Sequence, residues 1–223
     1  MRLLALSDIH ESERYIRSLA KELNDMGFKP DVALVAGDIT RFKGVDTARR
    51  ILVSLRNTVG TRVLFVPGNC DSPQLLNVDM LDVDIINIHA KAYKLGDYVV
   101  YGVGGGGLSP FYTPIEFSED DFESLIAGAI HYSNGKLIMV THEPILGYFD
   151  DVSGVRIGSQ VFATYLDKLK PVLWITGHVH ENSGWIRAGE TTIVHPGPFM
   201  KGFYAIIEIR EGNVLVEIKR LGR

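Results

Sequence analysis

Between Arg2 and Val66, three short, almost uninterrupted apolar runs alternate with two stretches whose apolar positions recur at helical spacing. The runs are Arg2–Ser7, Val32–Ala36 and Val63–Val66. Ile16, Leu19, Ala20, Leu23 and Met26 lie on one face of a helix that Gly27 and Pro30 end; Val45, Ala48, Ile51, Leu52 and Leu55 form a second such face. A strand that is apolar on both sides must be covered on both sides. Strands of this kind, alternating with amphipathic helices, predict a mainly parallel, doubly covered α/β sheet.

Farther along, Tyr93–Leu95 and Tyr98–Val103 read as a hairpin around Gly96-Asp97. Ser118–His131 and Gly158–Lys170 predict helices, and Leu137–Val140 and Val172–Ile175 predict strands. After His180 the pattern changes to two hairpins, one turning at Gly189 and one at Gly212-Asn213. No repeat, linker or charge block marks a boundary, so a single layered α/β domain is expected over residues 1–223.

Composition narrows the class. Apolar residues make up 46% of the chain and charged ones 22%, the balance of a globule with a buried core. One cysteine excludes a disulfide framework and suggests a reducing compartment. The apolar run Leu3–Leu6 meets Asp8 too soon for a secretory signal, and no apolar stretch approaches the ~18 residues of a membrane span. A cytoplasmic protein with no membrane partner is expected. The net charge of −4, with both signs mixed along the chain, argues against stable nucleic-acid binding but not against a nucleotide-sized substrate. Homo-oligomerisation is left open.

The chemistry gathers at strand ends. Asp8, Asp38, Asn69, His142 and His178 each follow an apolar run, and the crevice outside strand carboxyl ends is where α/β sheets build sites. His10 and His180 stand two residues beyond Asp8 and His178, so extended chain would turn both members of each pair the same way. Two aspartates, one asparagine and four histidines are too many donors for one tetrahedral ion with an open position. They suit two divalent cations, with manganese favoured and iron, zinc, nickel or cobalt acceptable to the same imidazole-rich set. One carboxylate must then bridge the ions.

Asp8-Ile9-His10, Gly37-Asp38, Gly68-Asn69, His142 and Gly177-His178-Val179-His180 together resemble the calcineurin-like metallophosphoesterases in order and context. The resemblance implies a four-layer α/β/β/α sandwich. It also implies that Asp8, His10 and His180 hold one metal, Asn69, His142 and His178 the other, and Asp38 bridges. The reaction implied is hydrolysis of a small-molecule phosphoester by attack of a metal-bridging hydroxide on phosphorus. A phosphomonoesterase, or a metal-binding interaction scaffold like the retromer subunit of similar fold, are the alternatives.

One position departs from the family pattern. Where relatives commonly carry Gly-Asn-His, with a histidine placed to protonate the leaving group, this chain has Gly68-Asn69-Cys70-Asp71, and so resembles a small prokaryotic phosphodiesterase branch. A thiol is a poor substitute for imidazole as a proton shuttle. Cys70 is therefore a candidate catalytic residue whose presence favours phosphodiesters, or esters with good leaving groups; the competing reading makes it a half-buried packing residue, with water delivering the proton.

Other residues receive plainer readings. Asp71 is expected to cap the segment Ser72–Leu76 rather than orient its neighbours. His89 and His131 are read as surface or structural, and His195 is left outside the site. Gly102, Gly104 and Gly107 match a dinucleotide-binding glycine pattern only formally, since Leu108-Ser109-Pro110 does not open a helix; a loop beside the metal pocket is expected there. Phe111, Tyr112, Tyr148 and Phe149 are expected to pack as ordinary loop residues, with an aromatic rim for the substrate as the second reading.

Overall fold

The architecture is seen in a computed structural model that describes residues 1–133 and 135–222. Strand β1 (Arg2–Leu6), helix α1 (Glu13–Asp25), strand β2 (Val32–Ala36), helix α2 (Val45–Val59) and strand β3 (Val63–Val66) follow one another as the sequence pattern requires. The three strands pair in parallel, and Ile85–Asn87 continues the parallel set beyond β3. The long hairpin Phe203–Arg210/Asn213–Arg220 adds to β1 antiparallel, and Met80–Asp82 closes the opposite edge, which completes a seven-stranded sheet.

A second sheet has six strands, in the order Gly184–Ala188, Thr191–His195, Leu173–Ile175, Leu137–Thr141, Tyr98–Val103 and Ala92–Leu95. Its centre is parallel and its two edges are antiparallel hairpins.

Side-chain alternation explains how the two sheets are covered. Along β1, Leu4 and Leu6 pack under α1 and α2 with Ile16, Leu19, Ile51 and Leu52. Leu3 and Ala5 point the other way, into a layer shared with Ile138, Val140 and Ile175 of the second sheet. The outer face of that second sheet, with Met139 and Trp174, is covered by helices α3 (Glu119–Ile126) and α4 (Gln160–Leu169). The layers therefore run helix, sheet, sheet, helix, the four-layer α/β/β/α sandwich expected. Each fully buried aliphatic side chain adds roughly 1.5–3 kcal/mol to this arrangement.

The helix expected over 118–131 is shorter. Ser118 and Asp121 form a reciprocal capping box at its start, but regular α structure stops at Ile126 and continues as a 3₁₀ turn, Ala127–Tyr132. The Tyr101 hydroxyl donates to the Leu125 carbonyl, competing for the acceptor that residue 129 would need in a continued α-helix. Ser159 caps α4 through the Phe162 amide. Among the described residues, no helix is long and apolar enough to cross a membrane.

Candidate metal centre

The carboxyl ends of β1, β2 and β3 and of the strands Leu137–Thr141 and Leu173–Ile175 open onto one end of the sandwich. All seven candidate ligands sit there, just beyond the strands. The chain is not extended at this point. Asp8, His10 and Asp38 have φ of 53°, 43° and 51°, and His178 has 75°. The two-residue alternation expected to align Asp8 with His10 therefore does not apply: left-handed turns aim these side chains, pinned by Asp8 N donating to Gly37 O and His10 N to Asp38 O.

Asp8, His10, Asp38 and His180 converge so closely that one donor atom from each lies within 4.8 Å of all the others. His180 Nε2 is 3.2 Å from Asp8 Oδ1, and the backbone amide of His178 donates to Asp8 Oδ2. Burial acts to raise the Asp8 pKa, but the His180 hydrogen bond and the charges of His142, His180 and His195 outweigh it and hold the carboxyl well below the usual range. His10 Nε2 lies 3.4 Å from Asp38 Oδ2 and 3.3 Å from His180 Nε2, while its buried Nδ1 has no partner. Burial lowers the His10 pKa against the pull of Asp38 and Asp8.

A second group lies on the other side of Asp38. Its Oδ1 is 3.4 Å from His142 Nε2 and accepts the Cys70 backbone amide. His142 Nε2 is 2.9 Å from Asn69 Oδ1, and its Nδ1 is 2.8 Å from the Ala36 carbonyl. That carbonyl can only accept, so Nδ1 carries a proton and a neutral His142 turns its bare Nε2 toward Asn69. Two acceptors facing each other at hydrogen-bond distance need a proton or a cation between them. Burial disfavours charge on His142, yet Asp38 and Asp8 raise its pKa overall. The His178 ring stands 5.0 Å from that of His142, centroid to centroid, and burial followed by the His142 charge lowers its pKa to about 4. His178 approaches the second group through its ring and makes no close polar contact with Asp38.

These observations fit divalent metal binding on the nitrogen and oxygen donors present. The Ala36 contact fixes the His142 tautomer, as partners behind a metal-binding imidazole do. Glycines make room for the donors. A Cβ on Gly68 would overlap Asp38, and one on Gly37, at φ +82°, would overlap the His142 imidazole.

Asp71 does not cap the following segment, and that expectation is overturned. Its carboxylate is fully buried and accepts from Ile39 N, Thr40 N, Thr40 Oγ1 and Gly68 N, tying the loop after β2 to the loop after β3. Burial and the Asp38 charge push its pKa up to about 7 against the pull of these donors. Cys70 is half-buried, and burial and Asp38 raise its thiol pKa strongly, so it holds its proton.

His89 is buried and structural: it accepts the Gly104 amide at Nδ1 and stacks on Phe117. His131 is exposed. His195 is buried close behind Asp8 and accepts the Gly197 amide at Nδ1. Glu143, missed in the sequence, is buried beside the candidate ligands, with its Oε2 accepting the Gly107 amide at 2.9 Å and lying 4.0 Å from His178 Nε2. Its one legible sign was a charged residue directly after a ligand at a buried strand end.

The expected loop packing fails for two aromatics. Phe111 and Tyr112 are 82% and 88% exposed, Phe111 at the mouth of a cavity beside the ligands. Tyr148 and Phe149 do pack, against the α3–α4 core.

Comparison with known proteins agrees with this geometry. A family model described as calcineurin-like phosphoesterase matches residues 1–182. An uncharacterized protein of Methanocaldococcus jannaschii is 27% identical over 205 residues, which span 89% of this chain and 88% of that protein. A protein of Thermus thermophilus has a similar fold, with a TM-score of 0.76 at 18% identity over 99% of both chains. So does a structure described as an archaeal phosphodiesterase, with a TM-score of 0.53 at 12% identity over 98% of this chain and all of that one.

Proposed function

This chain belongs to the calcineurin-like phosphoesterase family, and on that premise we propose that it hydrolyses phosphodiesters with the help of two divalent metal ions. The reading is carried by Asp38, whose two carboxylate oxygens face different partners: Oδ2 lies near His10 Nε2 and Oδ1 near His142 Nε2. Asp8, His10 and His180 would hold one ion, Asn69, His142 and His178 the other, and Asp38 both. Imidazole, carboxylate and amide donors without a thiolate favour manganese, with iron, zinc, nickel and cobalt as competitors. When bound, such ions neutralise phosphate charge and lower the pKa of water.

The chain's own groups prepare that chemistry. The Ala36 carbonyl keeps the proton on His142 Nδ1 and so leaves Nε2 free as a donor atom. Asp71 fixes the loops that present Asp38 and Asn69. Preference for esters with good leaving groups, aryl diesters among them, is supported by Cys70, which stands where the family commonly has a proton-donating histidine and holds its thiol proton tightly. A leaving group that must be protonated, as from an alkyl ester, gains little there.

The test compares wild type with Cys70→His on matched aryl diesters, aryl monoesters and alkyl monoesters, with metal content measured alongside. The variant should gain rate most on the alkyl monoester. Unchanged rates with intact metal content would remove Cys70 from the argument.

A further inference from the structure

A cavity of about 320 Å³ adjoins the metal centre and shares Asn69, His178 and His180 with it. Whatever fills this space is thus within reach of a phosphorus held at the centre. Its remaining wall is mostly apolar: Leu108, Phe111, Val152, Ile157 and Val179. Leu108 is 73% exposed, and Phe111 and Ile157 are exposed as well. Apolar side chains held in water around a cavity mark a ligand site more often than a packing accident.

The wall is preformed. Glu143 anchors Gly107, and Glu116 holds Ser109 and Thr113 through the Ser109 Oγ (2.6 Å) and the Thr113 amide (2.8 Å). Across the mouth, the Asp151–Val152/Val155–Arg156 hairpin places Val152, and Ile157 follows it with its amide bonded to Asp150 O.

Charge and size restrict the occupant. Among the described residues lining the cavity there is no lysine or arginine, and the acidic ones are Glu143 and Glu181. A second phosphate group would meet carboxyls and no counter-charge. The volume stands at the small end of ligand cavities, enough for one ring system.

We propose that this cavity seats a flat, uncharged aromatic substituent of the phosphoester, an aryl ring or a nucleobase, and so selects singly phosphorylated aromatic esters over alkyl esters and polyphosphates. The assignment rests on the phosphoesterase reading, and its test does not depend on turnover. Three unactivated diesters are titrated calorimetrically into the manganese-loaded protein: dimethyl phosphate, methyl phenyl phosphate and thymidine 5′-(methyl phosphate). Methyl phenyl phosphate should bind at least about tenfold more tightly than dimethyl phosphate, the scale of a hydrophobic pocket's discrimination. Phe111→Ala and Ile157→Ala, both at exposed positions, should each shrink that ratio toward one. Tighter binding of the thymidine ester than of the phenyl ester identifies a nucleoside as the occupant; weaker binding identifies a plain aryl group. Equal affinities for the phenyl and methyl esters, binding of none of the three, or a ratio unchanged in both variants overturns the assignment. Hydrolysis of bis(p-nitrophenyl) phosphate by the same preparation judges the phosphoesterase reading separately.

Discussion

His10 Nε2 and His180 Nε2 face each other across 3.3 Å, brought together from 170 residues apart. Each nitrogen also faces a carboxylate, His180 Nε2 at 3.2 Å from Asp8 Oδ1 and His10 Nε2 at 3.4 Å from Asp38 Oδ2, so four potential donor atoms close on one small space. One divalent cation would be held by all four groups at once. Manganese added to the chelator-stripped protein should therefore raise its melting temperature, with about 2.7 kcal/mol of stabilisation when the free ion is at a hundred times its dissociation constant. His10→Ala should bind fewer ions per chain by elemental analysis and show a smaller rise. A wild-type melting curve indifferent to manganese would count against the site.

Gly68→Ala should disable the centre without unfolding the chain. The added methyl would overlap Asp38, whose carboxylate must reach both halves of the site. Metal content should fall, and hydrolysis should drop by about 100-fold, the upper range for loss of a group supporting a metal site. Circular dichroism should remain that of the wild type. Normal metal content in this variant would show that Asp38 has freedom the packing denies it.

Asp71 separates two magnitudes. A residue that merely caps a turn costs about 1 kcal/mol on replacement by alanine. Asp71→Ala instead orphans the buried Ile39, Thr40 and Gly68 amides, each costing about 1–3 kcal/mol, so a total of at least about 3 kcal/mol is expected in urea unfolding. A loss near 1 kcal/mol would return Asp71 to the role of a cap.

Glu143 sets a pH dependence in the metal-stripped protein. Burial pushes its pKa from 4.5 up to about 8, so between those values the folded state keeps a proton that the unfolded state has released. Stability contributed by this group is full below pH 4.5 and declines as pH rises through 8. Glu143→Gln, which cannot ionise, should match the wild type at pH 4 and exceed it increasingly up to pH 8, by at most about 1.4 kcal/mol for each unit. Parallel stability curves would mean that Glu143 is solvated or paired in a way its burial does not suggest.

The sequence carried the layers well, because strands and helices leave periodic traces. β1, β2 and β3 are apolar on both faces and each is followed by a potential metal donor, so strand placement and site placement were one inference. The side-chain directions of Asp8, His10 and His178 were not readable, since they depend on left-handed turns at residues other than glycine. Asp71 was misread because its partners lie across two loops, at Ile39, Thr40 and Gly68, and no local spacing reports them. Glu143 stayed hidden for a similar reason: its tether is the Gly107 amide, 36 residues away. Aromatic residues usually bury themselves, which makes packing the expectation for Phe111; its exposure follows from a loop held by Glu116 and Glu143 rather than by apolar contacts.

The proposal of a dinuclear centre is tested most directly by anomalous diffraction from crystals soaked in manganese. Two peaks about 3.5–4 Å apart are expected, one on each side of the Asp38 carboxylate, the first against Asp8, His10 and His180 and the second against Asn69, His142 and His178. A single peak, or two peaks that do not share Asp38, would contradict the account.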